Sequence, residues 1–280
     1  MLKKYRDDFY KITLHRSLRR AGYEAIDGEP ERSKKNTAGN TDKLDESLSR
    51  TRAIIFELAM CNEWEWFVTL TIDPKQFDRE DLDKYKKKLS VWIKNYNRLH
   101  GTKIKYLLIP ELHSDGKSWH MHGLVMELPE THLTEFEDNE TLPLTILIEI
   151  KRGNKVYDWP AYRKSFGYIT MTKIRDAESV SKYITKYITK DLGKSKIELN
   201  NHLYYCSQGL KRAEKLYQGK ITRVFDEDFG NEYVKIKTLR SFDDAMLYFT
   251  DEPIIEEDYE HEHRKSAYQL ENRADDPGSC

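Results

Sequence analysis

The sequence has few cysteines and no long apolar segment. Only three cysteines occur among 280 residues, at Cys61, Cys206 and Cys280. An odd, scattered set of this kind forms neither a disulfide framework nor a paired-cysteine zinc site. No run approaches the roughly 18 apolar residues that a membrane helix needs, and the first residues lead into no apolar segment typical of a secretory signal. We therefore expect a reduced, cytoplasmic protein.

Net charge is also nearly absent, because 47 basic and 48 acidic residues give a formal charge of −1. The charges are nevertheless unevenly distributed along the chain. Residues 151–220 hold 16 basic and 6 acidic side chains, whereas residues 221–280 hold 7 basic and 16 acidic ones. A local basic block attracts polyanions even in a neutral chain, although a solvated helix face has the same composition. Nucleic acid is therefore one candidate partner.

The chain divides by composition into three predicted parts. Residues 1–48 predict a basic, weakly amphipathic helix over 3–24 followed by a polar linker over 25–48. Residues 49–220 predict the main domain, which begins with a short helix over 49–61. Residues 221–280 predict a C-terminal extension that ends in an acidic tail.

The main domain predicts an α+β fold. Alternating residues indicate a strand over 67–72, and the apolar stripe of residues 79–100 indicates a helix that ends at Gly101. Strands are predicted over 104–111, 119–127 and 167–174, with a final helix over 176–192. A further edge strand is considered over 145–150. This order favours a ferredoxin-like sandwich with a central antiparallel sheet.

The hairpin between the second and third strands brings candidate metal ligands together. If Asp115-Gly116 is a two-residue turn, Glu111 lies directly opposite His120. His122 lies two residues along the same strand and shares that face, as does His113 nearer the turn. Two imidazoles and a carboxylate suit Mn²⁺, Mg²⁺ or Zn²⁺. The alternative is a set of ordinary surface histidines, and a slip of one residue would turn Glu111 to the other face.

The last predicted helix carries two tyrosines one turn apart, Tyr183 and Tyr187, at the border between an aliphatic stripe and two lysines, Lys186 and Lys190. The same spacing is also typical of tyrosines in a plain amphipathic core. Neighbouring ammonium groups favour the phenolate and bind phosphate. Together with a metal, this pattern indicates tyrosine attack on a phosphodiester to give a covalent phosphotyrosine.

These motifs resemble those of the HUH endonucleases, and more narrowly the two-tyrosine rolling-circle replication initiators of phages and plasmids. The segment FVTLT that begins at Phe67 is similar to their first motif. His120-Met-His122 resembles the metal motif, and Tyr183-x-x-Lys186-Tyr187-x-x-Lys190 resembles the tyrosine motif. The resemblance covers about residues 41–215.

The resemblance implies a role for each of these residues. His120 and His122 would bind Mg²⁺ or Mn²⁺, with Glu111 as the third ligand. His113 has no counterpart in the pattern and would be either a replacement ligand or a neighbour of the ligands. Tyr183 and Tyr187 would be the alternating nucleophiles. The lysines Lys186 and Lys190 would assist at the phosphate or the metal.

The resemblance also implies partners. The substrate would be single-stranded or origin DNA in a bacterial host cytoplasm, and a host polymerase would extend the free 3′ end. The sequence has no complete phosphate loop, so we expect no nucleotide cofactor, and unwinding would fall to a host helicase. Candidate DNA contacts are Lys151, Arg152, Arg163, Lys164, Lys173, Lys194 and Lys211, and Trp119 or Tyr168 would stack on a base. The alternatives are an HUH transposase or relaxase, and a DNA-binding module without catalysis.

Overall fold

The structure is a computed structural model that describes residues 1–15, 41–137, 142–192, 203–230 and 234–249, with the side chains of 41–48 and 186–192 left aside. The chain forms two compact units. The large unit comprises the described residues of 33–212, and the small unit comprises those of 1–32 and 213–280. Within the described residues, no helix combines the length and the apolar character needed to cross a membrane.

The two units contain the following elements. The strands are β1 Leu2–Arg6, β2 Phe9–His15, β3 Trp66–Thr71, β4 Lys105–Leu112, β5 Trp119–Met126, β6 Thr134–Glu135, β7 Val156–Asp158, β8 Ile169–Lys173, β9 Tyr205–Cys206, β10 Glu214–Tyr217, β11 Phe229–Gly230 and β12 Val234–Leu239. The helices are α1 Thr41–Cys61, α2 Leu82–His100, α3 Leu144–Lys151, α4 Pro160–Ser165, α5 Ala177–Leu192 and α6 Phe242–Met246, with a short 3₁₀ helix at Glu130–His132.

The large unit is built on a seven-stranded sheet with the order β6-β7-β8-β3-β5-β4-β9. Every neighbouring pair of strands is antiparallel. The predicted α+β class and the antiparallel central sheet are therefore confirmed. In β3, Val68 and Leu70 point to one face and are buried, whereas Thr69 and Thr71 point to the other face and are half-buried. This alternation is the one that the sequence predicts.

Helices cover both faces of this sheet. Helix α2 packs its stripe of Tyr85, Leu89 and Ile93 against the face that carries Val68 and Leu70. It begins where the Asp81 carboxylate accepts the backbone N–H of Lys84, and it ends at Gly101 in the left-handed conformation (φ 64°). Helices α1 and α5 pack together on the opposite face, where their apolar side chains join those of β4 and β5 in a second core.

The N-terminal residues form strands rather than the predicted helix. The described part of 3–24 belongs to β1 and β2, which pair with each other, while residues 16–24 lie outside the described residues. The alternating Tyr10, Ile12 and Leu14 line the core of the small unit. The helical N-terminal arm in the predicted fold is therefore wrong, because a basic strand was mistaken for a basic helix face.

Two further predicted elements differ from the structure. Helix α1 begins at Thr41, so the end of the predicted linker is helical, and residues 25–40 lie outside the described residues. The edge strand considered over 145–150 is part of helix α3, which follows Pro143 and buries Ile146. The β-branched residues of that segment favoured a strand, and tertiary packing overrides this preference.

The small unit contains a five-stranded sheet with the order β10-β1-β2-β12-β11. Strands from the two ends of the chain therefore share one sheet, and Leu2, Ile12 and Phe249 contribute to its core. The division of the chain at residues 48 and 220 stays a prediction, and the acidic tail over 251–280 lies outside the described residues.

A buried pair of tyrosines in the main core offers a test of this packing. Tyr85 and Tyr162 are fully buried, and their hydroxyl oxygens lie 2.5 Å apart. Either Tyr→Phe change leaves one buried hydroxyl without its partner, so we expect each to lower the free energy of unfolding by about 1–3 kcal/mol. Urea unfolding of the two single variants and of the double variant measures this. The double variant should lose less than the sum of the single losses, and strict additivity would contradict the coupling.

Candidate active site

The hairpin of β4 and β5 has the register that the sequence predicts. Glu111 pairs with His120 and Leu112 pairs with Trp119. The turn itself is slightly wider than two residues, because the backbone N–H of Gly116 donates to the carbonyl of His113 and His113 pairs with Ser118. Gly116 takes up the positive φ of 71° that this turn requires.

The carboxylate of Asp115 stabilises this turn. It accepts hydrogen bonds from the backbone N–H groups of Lys117 and Ser118, each at 2.9 Å. The hydrogen bond from the Ser118 side chain, followed by these backbone bonds, lowers the pKa of Asp115 well below its ordinary value. The carboxylate is therefore ionised in neutral solution, and the hairpin register is held by charge-assisted hydrogen bonds.

Glu111, His120 and His122 converge on one face of the seven-stranded sheet, which we call the metal face. Glu111 Oε2 lies 3.0 Å from His120 Nε2 and 2.7 Å from His122 Nε2, and the two Nε2 atoms lie 2.9 Å apart. Each side chain is about nine-tenths buried or slightly less. Three ligands on one side of an ion with bonds of about 2.1 Å are about 3 Å apart. The donor types and their spacing therefore fit one divalent cation.

Thr69 fixes the orientation of one candidate ligand. Its residue pairs with His122 across β3 and β5, and its Oγ1 lies 3.1 Å from His122 Nδ1. If Nε2 is to present a lone pair to a metal, Nδ1 must carry the proton and donate it to Thr69 Oγ1. Thr69 is thus a positioning residue that selects the ligating tautomer.

We expect Thr69→Val to lower Mn²⁺ affinity by about 10–100-fold, because valine keeps the volume of threonine and removes the acceptor. Calorimetric titration with Mn²⁺ measures the change, and Thr69→Ser should retain most of the affinity. If valine lowers only the melting temperature and leaves Mn²⁺ affinity unchanged, the positioning role is wrong.

His113 lies beside the three candidate ligands. Its ring centre is 4.3 Å from that of His120. Among the described residues, its Nε2 is buried and has no hydrogen-bond partner. The group whose ligand atoms lie within 4.8 Å of one another consists of Glu111, His120 and His122. The geometry thus favours His113 as a neighbour of the ligands.

The tyrosine helix lies on the metal face. Ile184 of α5 is fully buried in the core formed with α1, whereas the neighbouring Tyr183 is 46% exposed. The ring of Phe67 contacts both functional groups: its centre lies 5.5 Å from that of Tyr183 and 6.2 Å from that of His122. One aromatic side chain of β3 therefore links the tyrosine helix to the metal ligands.

The other predicted residues of this helix are described by their backbone alone. Lys186, Tyr187 and Lys190 lie within the helical segment Ala177–Leu192. Their side chains lie outside the described residues. On a regular helix Tyr187 is one turn beyond Tyr183 and about 40° around the axis, so the two positions share a side of the helix.

The predicted DNA contacts lie in several places. Lys151, Arg152, Lys164 and Lys211 are exposed, and Lys194 lies outside the described residues. Arg152 forms an ion pair with Glu149 at 2.9 Å. Lys173 forms one with Glu130 at 2.5 Å, and Arg163 forms one with the buried Asp158 at 3.1 Å. Of the candidate stacking residues, Tyr168 is 64% exposed and Trp119 is half-buried.

Sequence reasoning missed the supporting residues of the site. Phe67 and Thr69 were interpreted as parts of a structural strand. The alternation of β3 contained the signal, since both residues point to the same face as each other, but only the sheet order places that face beside the histidines. Asp158, the partner of Arg163, was missed because nothing in its segment marks it as buried.

One comparison with known proteins gives a match. Residues 65–192 match the model of the replication-associated protein ORF2 family. No curated protein and no solved structure matches the chain significantly. The matched segment includes β3, the hairpin with the three candidate ligands and all of α5. The match therefore supports a role in the initiation of replication.

Proposed function

We propose that this chain, whose residues 65–192 match the replication-associated protein ORF2 family, initiates rolling-circle replication by nicking one DNA strand at an origin. The observation that carries the proposal is the common face shared by the three candidate ligands and Tyr183. Phe67 contacts both Tyr183 and His122, so a phosphodiester bound at the ligands is close to the tyrosine helix.

Glu111, His120 and His122 would hold Mg²⁺ or Mn²⁺, which polarises the scissile phosphodiester when bound. The phenol oxygen of one tyrosine attacks phosphorus, and the bond to the 3′ oxygen breaks. The 5′ phosphate is then joined to the tyrosine, and the phenol proton is transferred through solvent or a lysine to the leaving 3′ oxygen. The number of phosphodiester bonds is unchanged, so no nucleotide cofactor is required.

The second tyrosine completes the reaction cycle. After a polymerase has extended the 3′ hydroxyl, the regenerated origin is cut by the free tyrosine. The new 3′ hydroxyl then attacks the first phosphotyrosine and releases a closed single strand. Tyr183 and Tyr187 lie on one side of α5, one turn apart, so each is placed to act in turn. Lys186 and Lys190 would neutralise the phosphate. Unwinding and synthesis would be supplied by a host helicase and polymerase.

Two other functions share part of this chemistry. An HUH transposase or relaxase would use the same covalent intermediate, but one tyrosine is sufficient for a single transfer, and the second tyrosine favours an initiator. A DNA-binding module without catalysis would need no metal ligands. The close spacing of Glu111, His120 and His122 argues against it, because a buried carboxylate is costly without a cationic partner.

The direct test is a covalent adduct assay. The full chain is incubated with a pool of labelled single-stranded oligonucleotides and Mn²⁺ or Mg²⁺, and the products are separated on a denaturing protein gel. We expect the label to migrate with the protein. Because a pool lacking the right sequence would give no signal, the pool is randomised in sequence. Nicked product without an adduct would identify a hydrolytic nuclease and overturn the proposal.

A further inference from the structure

The metal face extends from the candidate ligands to the far edge of the sheet. Asp158 pairs through the ladder with Thr134, and the same row continues through Thr170 and Thr69 to His122. Asp158 and Thr170 occupy corresponding positions, since Val156 pairs with Thr172 and Tyr157 with Met171. Asp158 and His122 are separated by three strand spacings, or about 14 Å.

A cavity of about 570 Å³ lies at this edge, and its lining includes Thr134, Phe136, Asp158 and Arg163. The guanidinium group of Arg163 is held in a fixed plane by a two-pronged ion pair. Its Nε donates to Asp158 Oδ1 and its Nη2 lies near Oδ2, each at 3.1 Å. The Arg163 side chain is nevertheless 44% exposed, so one side of it remains available to a ligand.

Two aromatic rings flank this guanidinium. Arg163 Cζ lies 5.6 Å from the centre of the Phe136 ring and 5.8 Å from that of Tyr168. Tyr168 is 64% exposed, although its ring would be expected to pack if its role were only structural. The backbone N–H of Thr71 donates to the Tyr168 carbonyl at 2.8 Å, which extends the β3–β8 ladder by one residue and directs the Tyr168 side chain to the metal face.

Gly167 allows this close approach of the two strands. Its φ is 138°, and a Cβ there would lie 2.4 Å from the backbone nitrogen of Asp73 and 2.6 Å from the carbonyl oxygen of Thr71. No side chain fits at this position without separating the strands. The exposed tyrosine is thus held by tight backbone packing beside the row that leads to the metal ligands.

We infer that Phe136, Arg163 and Tyr168 form a binding pocket for one unpaired nucleobase of the DNA strand whose phosphodiester lies at Glu111, His120 and His122. A flat heterocycle is the ligand that best fits a planar cation between aromatic rings, because both surfaces favour stacking. The hydroxyl groups of Thr69 and Thr170 lie between the two sites and would donate to the intervening phosphates. The inference rests on the proposed function, because it takes the same DNA strand as the ligand.

The test compares two probes that have equal charge and differ in their bases. Binding of the full chain to labelled oligothymidylate, and to an abasic oligonucleotide of the same length, is measured by fluorescence anisotropy in the presence of a chelator, so that no cleavage occurs. We expect Tyr168→Ala to weaken binding to oligothymidylate by about tenfold, as loss of one stacked base does, and to change abasic binding by less than about twofold.

Matched variants make the test specific. Tyr168→Phe keeps the ring and should bind like the wild type, and Phe229→Ala removes an equally exposed ring from the small unit and should have no effect. Equal losses on both probes, or no loss on either, would overturn the pocket. The proposed function fails separately, if the wild-type chain forms no covalent adduct, because that assay does not involve these variants.

Discussion

Replacing both Tyr183 and Tyr187 with phenylalanine should abolish the covalent protein–DNA adduct, with a loss of at least about a thousandfold in its rate of formation. The change removes only the two phenol oxygens, and no other group of comparable reactivity is placed to replace a missing nucleophile. The measurement is the labelled adduct on a denaturing gel. Single-stranded DNA binding should remain within a few-fold of the wild type, because both rings are retained.

The single variants show which tyrosine starts the reaction. The variant that lacks the first nucleophile should lose nicking of an intact strand, whereas the variant that lacks the second should nick normally and fail to release a closed product. Tyr183 is the described tyrosine that contacts Phe67, so we expect Tyr183→Phe to lose the initial nick.

Tyr205 provides a matched control on the other face of the sheet. It pairs with Leu108, whose side chain belongs to the α2 side, and burial raises the pKa of its phenol to about 12. Such a phenol is a poor nucleophile at neutral pH. Tyr205→Phe should therefore form the adduct like the wild type. Persistence of the adduct in the Tyr183/Tyr187 double variant would contradict the mechanism.

The parts of the site that the sequence predicts correctly depend on local geometry. The Glu111–His120 register follows from the turn residues and from the period of two along each strand, so counting from Asp115-Gly116 is sufficient. The helix over 82–100 is similarly local, since its stripe and its caps lie within the segment itself. These features do not depend on distant parts of the chain.

The parts that the sequence does not predict depend on distant partners. Strand β1 pairs with β10, whose residues are about two hundred positions away, and a short basic segment with mixed periodicity does not reveal this pairing. The contact of Phe67 with Tyr183 and that of Arg163 with Phe136 are likewise set by the order of strands in the sheet. Sequence periodicity identifies a buried face, but it does not identify the strand or helix that lies beside it.

Removal of the candidate metal ligands should have the second large effect. We expect a chelator to stop both nicking and adduct formation, and added Mn²⁺ or Mg²⁺ to restore them. His120→Ala and His122→Ala should each lower the rate by about a thousandfold or more, because a metal that polarises a phosphodiester stabilises the transition state by several kcal/mol. His100→Ala, on the exposed surface of α2, should leave the rate unchanged.

Glu111→Gln separates the charge of the site from its shape. Glutamine keeps one oxygen near His120 and His122 but removes the negative charge, so Mn²⁺ affinity should fall while the fold is retained. Excess Mn²⁺ should then rescue this variant more fully than His120→Ala, which loses a ligand atom entirely. Calorimetry gives the affinity, and the adduct assay across a range of Mn²⁺ concentrations gives the rescue. Adduct formation that is insensitive to chelation and to His120→Ala would show that Tyr183 and Tyr187 act without a metal, and that the three converging side chains serve only the fold.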